Sequence, residues 1–169
     1  AGKARRATMR RSSPSKGSFD VKREADKPDG AGEPATRIWL RRMLAFFYVI
    51  ASGFHLTTPG PFLRIMPRWV PYPEAVIAVT GMAELLGAIA LLQPFSPGLR
   101  RAGGAGLALY ALCVWPANIN HFMLDMARPD HGWGLAYHVP RMLAQPLLIW
   151  LALWTGGITE WPFRGRRRG

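Results

Sequence analysis

Residues 75–92 read AVIAVTGMAELLGAIALL, eighteen residues of which seventeen are uncharged, with Thr80 the only polar side chain besides Glu84. A run of this length and polarity predicts a membrane-spanning helix rather than the core helix of a soluble domain. A carboxylate near its middle costs on the order of 3 kcal/mol on insertion scales, and more against lipid. Glu84 is therefore expected to face protein and to have a partner. Helical spacing agrees, because Thr80, Gly81, Glu84, Gly87 and Ala88 fall on one small, polar face while Val79, Met82, Leu86 and Ile89 lie elsewhere.

Outward from this run, the 169-residue chain carries its 49% hydrophobic content in blocks. Four apolar segments, at about 38–58, 74–92, 100–119 and 138–158, are each long enough to cross ~30 Å of hydrocarbon at ~1.5 Å per residue. The expected fold is all-α, a four-transmembrane-helix bundle over residues 37–159. It is preceded by a disordered basic tail over 1–36, rich in Arg, Ser, Gly and Pro, and followed by a basic tail over 160–169. The acid-free start also has the composition of an organellar transit peptide, but it lacks an apolar stripe, so a cytoplasmic tail is the preferred reading. No secretory signal is expected. In the first span Arg41 and Arg42 are expected to snorkel from the helix end to the interface. Phe62 to Met66, in a loop holding five prolines, has room only for an interfacial turn.

The net charge of +12 does not indicate a nucleic-acid partner, because the basic residues flank apolar segments instead of forming an aromatic-studded polar surface. They read as topology charges and as contacts for anionic lipid headgroups. Eighteen basic residues fall on the side of the two termini and four, Arg64, Arg68, Arg128 and Arg141, on the other. The positive-inside rule then places both termini in the cytoplasm of a multi-pass protein of the cell membrane, a bacterial inner membrane being the natural setting. Trp39, Trp69, Tyr72, Trp133, Tyr137 and Trp161 fall near the predicted interfaces, where amphipathic rings prefer to sit. Ala83 with Gly87, and Gly104 with Ala108, have the small-xxx-small spacing that lets membrane helices approach.

Chemistry-bearing residues are few. The single cysteine, Cys113, excludes an intrachain disulfide and a CxxC pair, and reads as a small packing residue. Counting rise from the cytoplasmic boundary puts Glu84 ~13 Å deep, His55 and Gln145 ~19 Å, and Asn118 and Arg141 ~25 Å. Each span thus contributes to a polar ladder opening outward. On this count His55 and Gln145 are the direct partners of Glu84, and Arg141 completes the ladder from above or snorkels to headgroups. Three roles stay open for the set Glu84, His55, Gln145, Asn118 and Arg141: a carboxyl bonded between helices, a quinone, lipid or small-ligand site, and a proton or ion path. His121, Asp125, His131 and His138 lie in or beside the second outer loop. The i,i+4 pair His121 and Asp125 suits a metal on a helix, but loop His and Asp are ordinarily hydrated, so no metal is expected. Pro116 and Pro146 lie inside spans three and four, close to Asn118 and Gln145. No phosphate-cradling loop, nucleophile elbow or paired catalytic carboxylates occur.

The order of these pieces resembles the DoxX-like family of small membrane proteins. The matching residues are Gly53-Phe54-His55-Leu56, Phe62 through Pro67 with Pro71 and Pro73, Thr80 through Gly87, Pro116-Ala117-Asn118-Ile119, and Pro140-Arg141-Met142 with Gln145. They cover roughly residues 43–157. The resemblance implies a four-helix membrane bundle whose Glu, Asn, Arg and Gln positions are the family's polar set. It also implies a small subunit or anchor of a redox-linked membrane complex, with a membrane or peripheral oxidoreductase as partner; the chain is read as a non-enzyme on its own. The alternatives are a quinone- or lipid-binding oxidoreductase component using the Glu84 cluster, with quinone as the possible cofactor, and a small-molecule or proton transporter. The long basic tail and the terminal arginines are outside that pattern.

Overall fold

The computed structural model describes residues 33–162; most of both expected tails lies outside them. The described residues form five α-helices and no strands: α1 (Ala35–Thr57), α2 (Gly60–Ile65), α3 (Pro73–Leu92), α4 (Pro97–Met126) and α5 (Gly134–Thr155). Proline opens α3 and α4 at their first position, where its missing N–H leaves no bond unmade. Ser96 caps α4, its hydroxyl accepting from the Leu99 amide at 3.2 Å. The six-residue α2 agrees with the short turn expected between Phe62 and Met66.

The four long helices pack in a ring, α1 on α3, α3 on α4, α4 on α5 and α5 back on α1. Leu44, Ala45, Tyr48, Ala88, Leu91, Leu107, Ala108 and Ala152 form the core. Small residues set the spacing. A Cβ on Gly87 would lie 2.5 Å from Leu107 Cγ, and one on Gly104 only 2.6 Å from the Ala152 carbonyl oxygen. Ala83, the other half of the expected pair with Gly87, is exposed; the partner surface of α3 runs through Gly87, Ala88 and Leu91 instead.

Two helices, α3 and α4, are long and apolar enough to cross a membrane by length and composition. Several expectations change at the helix ends. α4 runs to Met126, seven residues past the expected end of span three, so His121 and Asp125 sit on a helix and not in a loop. α5 begins at Gly134 and takes in His138; it stops at Thr155, where Gly156 follows and Gly157 adopts φ +82°. Arg41 does not snorkel. It is buried, and its Nε donates to the Thr155 carbonyl at 2.9 Å, while Arg37 Nε donates to the Trp154 carbonyl at 2.7 Å. The last carbonyls of a helix lack intrahelical donors and carry partial negative charge, which draws these guanidinium groups inward. Arg42, by contrast, is exposed. Cys113 is exposed as well, at the border of the interhelical cavity described below.

Candidate functional site

Glu84 is 2% exposed. The reason lies on its own helix, where Gly81, Gly87 and Ala88 are buried on the same face while Val79, Met82, Leu86 and Ile89 point outward. Gly81 lets α1 come close: a Cβ there would lie 3.0 Å from both His55 Cβ and Leu56 Cγ. This approach brings His55 Nδ1 to 2.7 Å from Glu84 Oε2. On its other side the His55 ring lies against Phe62 of α2, centroids 4.0 Å apart. The Asn120 amide donates to the Ile65 carbonyl at 2.9 Å and ties α2 to α4. Tyr110 of α4 turns its phenol to the Glu84 carboxylate, and Tyr48 of α1 packs edge-on against Tyr110 at 5.9 Å.

These groups border a cavity of about 460 Å³ between the helices. All five residues of the expected polar set, Glu84, His55, Asn118, Gln145 and Arg141, line it, together with Tyr48, Thr80 and Tyr110 among largely apolar walls. His55 is the direct partner of Glu84, as the depth count has it. Gln145 is not: its Oε1 is buried with no hydrogen-bond partner, and the same holds for the Tyr48 hydroxyl. Asn118 is buried. Arg141 neither pairs with Glu84 nor reaches outward to headgroups; its Nη1 lies 2.7 Å from His121 Nδ1 and 3.0 Å from the Tyr137 hydroxyl. The α4 extension supplies His121, two residues past the expected span end, and so captures the guanidinium.

Tyr48 and Tyr110 escape a reading that looks for charge and amide in apolar runs. The rise count nevertheless puts Tyr110 ~15 Å deep on α4, level with Glu84 at ~13 Å.

A second polar cluster lies at the other end of α4. Asp125 Oδ2 accepts from the Trp133 amide at 3.0 Å and lies 3.0 Å from His138 Nε2 and 3.6 Å from His121 Nε2. His138 is fully buried. The α4–α5 loop wraps the carboxylate so closely that a Cβ on Gly132, at φ +51°, would fall 2.4 Å from Asp125 Cγ. His131, the fourth of the His and Asp residues weighed as metal ligands, stays in the loop and outside this cluster.

No curated protein and no solved structure matches the chain. Residues 44–156, which are 113 of the 169 and hold all of α2 to α5 with all but the start of α1, match the family described as Domain of unknown function (DUF8561). Every residue bordering the cavity falls inside that match: the chain belongs to the DUF8561 family.

Proposed function

We propose that this chain is a four-span protein of the cell membrane, its termini cytoplasmic, whose interhelical cavity binds a quinone or quinol head group. It would serve as a small subunit or anchor of a redox-linked membrane complex, the role that the resemblance to DoxX-like proteins implies. The observation that carries the reading is the cavity itself, with its apolar walls and one converging set of polar side chains.

A volume of about 460 Å³ is within the ~300–1,000 Å³ range of small-molecule sites. Its unmade bonds describe the ligand. The buried Gln145 Oε1 needs a donor and the Tyr48 hydroxyl is free to donate, so a quinol, whose hydroxyls both donate and accept, complements both. The Glu84–His55 pair at 2.7 Å can take up a proton that a quinol hydroxyl gives up.

The four-span arrangement draws support from where polar residues point. Arg37, Arg41 and Ser52 on α1, and His138 and Gln145 on α5, lower the hydropathy of those helices but are buried. Their outer faces carry Phe46, Phe47, Ile50 and Phe54 on α1 and Val139, Leu143 and Leu147 on α5, all exposed. Trp39, Trp69, Tyr72, Trp133, Tyr137 and Trp161 are exposed as interfacial rings should be.

The test is binding of a short-tailed benzoquinol or naphthoquinol, kept reduced, to the full chain in nanodiscs, followed by tryptophan fluorescence, since Trp69 lines the cavity. Glu84→Gln is expected to weaken quinol binding about tenfold to a hundredfold, the worth of one charge-assisted hydrogen bond from the quinol hydroxyl to the carboxylate. If wild type carries no quinone from the membrane and binds neither probe, the proposal fails.

A further inference from the structure

We propose that His121, Asp125 and His138 form a binding site for a divalent transition-metal ion of the zinc class, at the end of the bundle where α4 meets α5. The inference does not rest on the cavity reading. Two imidazoles and one carboxylate are a donor set that zinc, cobalt and nickel accept. The donor atoms converge: His138 Nε2 and His121 Nε2 stand 3.0 and 3.6 Å from the same Asp125 oxygen, and all three lie within 4.8 Å of one another. A tetrahedral ion with bonds of about 2.0–2.1 Å separates its ligand atoms by about 3.3 Å, so closure requires shifts of tenths of an ångström for the two measured pairs and draws the two imidazole nitrogens together from a separation of at most 4.8 Å.

Each donor is held from outside the cluster. His121 and Asp125 share a face of α4 at i,i+4 spacing. Phe122 and Tyr137 pack edge-on against the His138 ring at 5.5 and 5.0 Å, which fixes its orientation. The Trp133 amide orients the carboxylate. The His121 side chain is 14% exposed and leaves a way in for an ion and a fourth ligand such as water.

One contact opposes the ion and gives the inference its sharpest consequence. Arg141 Nη1 can only donate, so the His121 Nδ1 that it meets at 2.7 Å must hold a lone pair. The ring proton is then on Nε2, the atom the metal needs. Binding moves that proton to Nδ1, leaving the ring neutral with the same proton count, and the new Nδ1–H repels the guanidinium. Arg141 must leave His121; it already lines the quinone-sized cavity. Metal occupancy thus changes the charge that this cavity presents.

The test is titration of the full chain, in nanodiscs and without a polyhistidine tag, with Co²⁺ read by visible absorption and Zn²⁺ read by calorimetry. One ion per chain is expected, with Asp125→Asn and His121→Gln each weakening it at least tenfold. His121→Gln, at the partly exposed position, serves where the buried substitution fails to fold. Arg141→Gln is expected to tighten binding, because the amide oxygen accepts the Nδ1–H that the guanidinium repels. No stoichiometric binding, or unchanged binding in His121→Gln, overturns the site. Unchanged or weaker binding in Arg141→Gln overturns the tautomer exchange.

Discussion

Gly104 and Gly106 lie two residues apart on α4 and offer a matched test of the helix packing. A methyl on Gly104 would stand 2.6 Å from the Ala152 carbonyl oxygen and 2.9 Å from Gly156 Cα. Those distances are about 0.8 and 0.5 Å short of the 3.4 Å at which ordinary contact begins. Both obstacles are backbone, so no rotamer relieves them and α4 must move off α5. A methyl on Gly106 meets nothing within 4 Å. Overpacking of this kind costs about 1–3 kcal/mol. The helix-propensity gain of replacing glycine, about 1 kcal/mol, is common to both variants and cancels in their difference. Gly104→Ala is therefore expected to be less stable than Gly106→Ala by about 1–3 kcal/mol in reversible unfolding of the full chain in mixed micelles. Equal stability of the two variants would refute the close α4–α5 approach and with it the placement of Gln145 and Arg141.

Gly81→Val is expected to separate α1 from α3 and to abolish quinol binding while His55 and Glu84 are both retained, because its first added carbon would already press on His55 Cβ and Leu56 Cγ. Quinol titration of that variant reads the outcome directly. Arg41→Met removes the donor to the Thr155 carbonyl and should cost about 1–3 kcal/mol by unfolding, the price of a buried acceptor left unmade; Arg42→Met, at an exposed position, should cost nothing measurable. In the α4–α5 loop the Gly132 amide and then the Arg128 guanidinium hold the Asp130 carboxyl below its ordinary 3.8. The loop contacts of this carboxylate are present above that value and are lost as pH falls through the depressed one. The side-chain carboxyl carbon resonance of Asp130 should therefore titrate with its midpoint below 3.8; a midpoint at or above that value would contradict this assignment.

Much of the site was legible in the residues because burying charge in an apolar helix is costly. Seventeen uncharged residues around Glu84 dictate a helix that turns the carboxylate inward, and rise along α1 places His55 within about 6 Å of its depth. What rise cannot supply is rotation about each helix axis. Gln145 has the right depth and faces the cavity, yet its oxygen is without a partner; Tyr110 meets Glu84 instead. Arg41 and Arg42 are adjacent and chemically alike, but only one side of α1 faces the bare carbonyls of α5.

The sequence by itself determined the helical class, the inward face of α3 and the residues of the polar set, since these follow from local periodicity and the cost of burying charge. Only the tertiary structure decided which polar groups touch. It extended α4 to Met126, drew Arg141 to His121 and brought His138 from another helix onto Asp125. The physical reason is that a hydrogen bond depends on tenths of an ångström and on side-chain direction, and both are set by how closely the glycines let the helices approach.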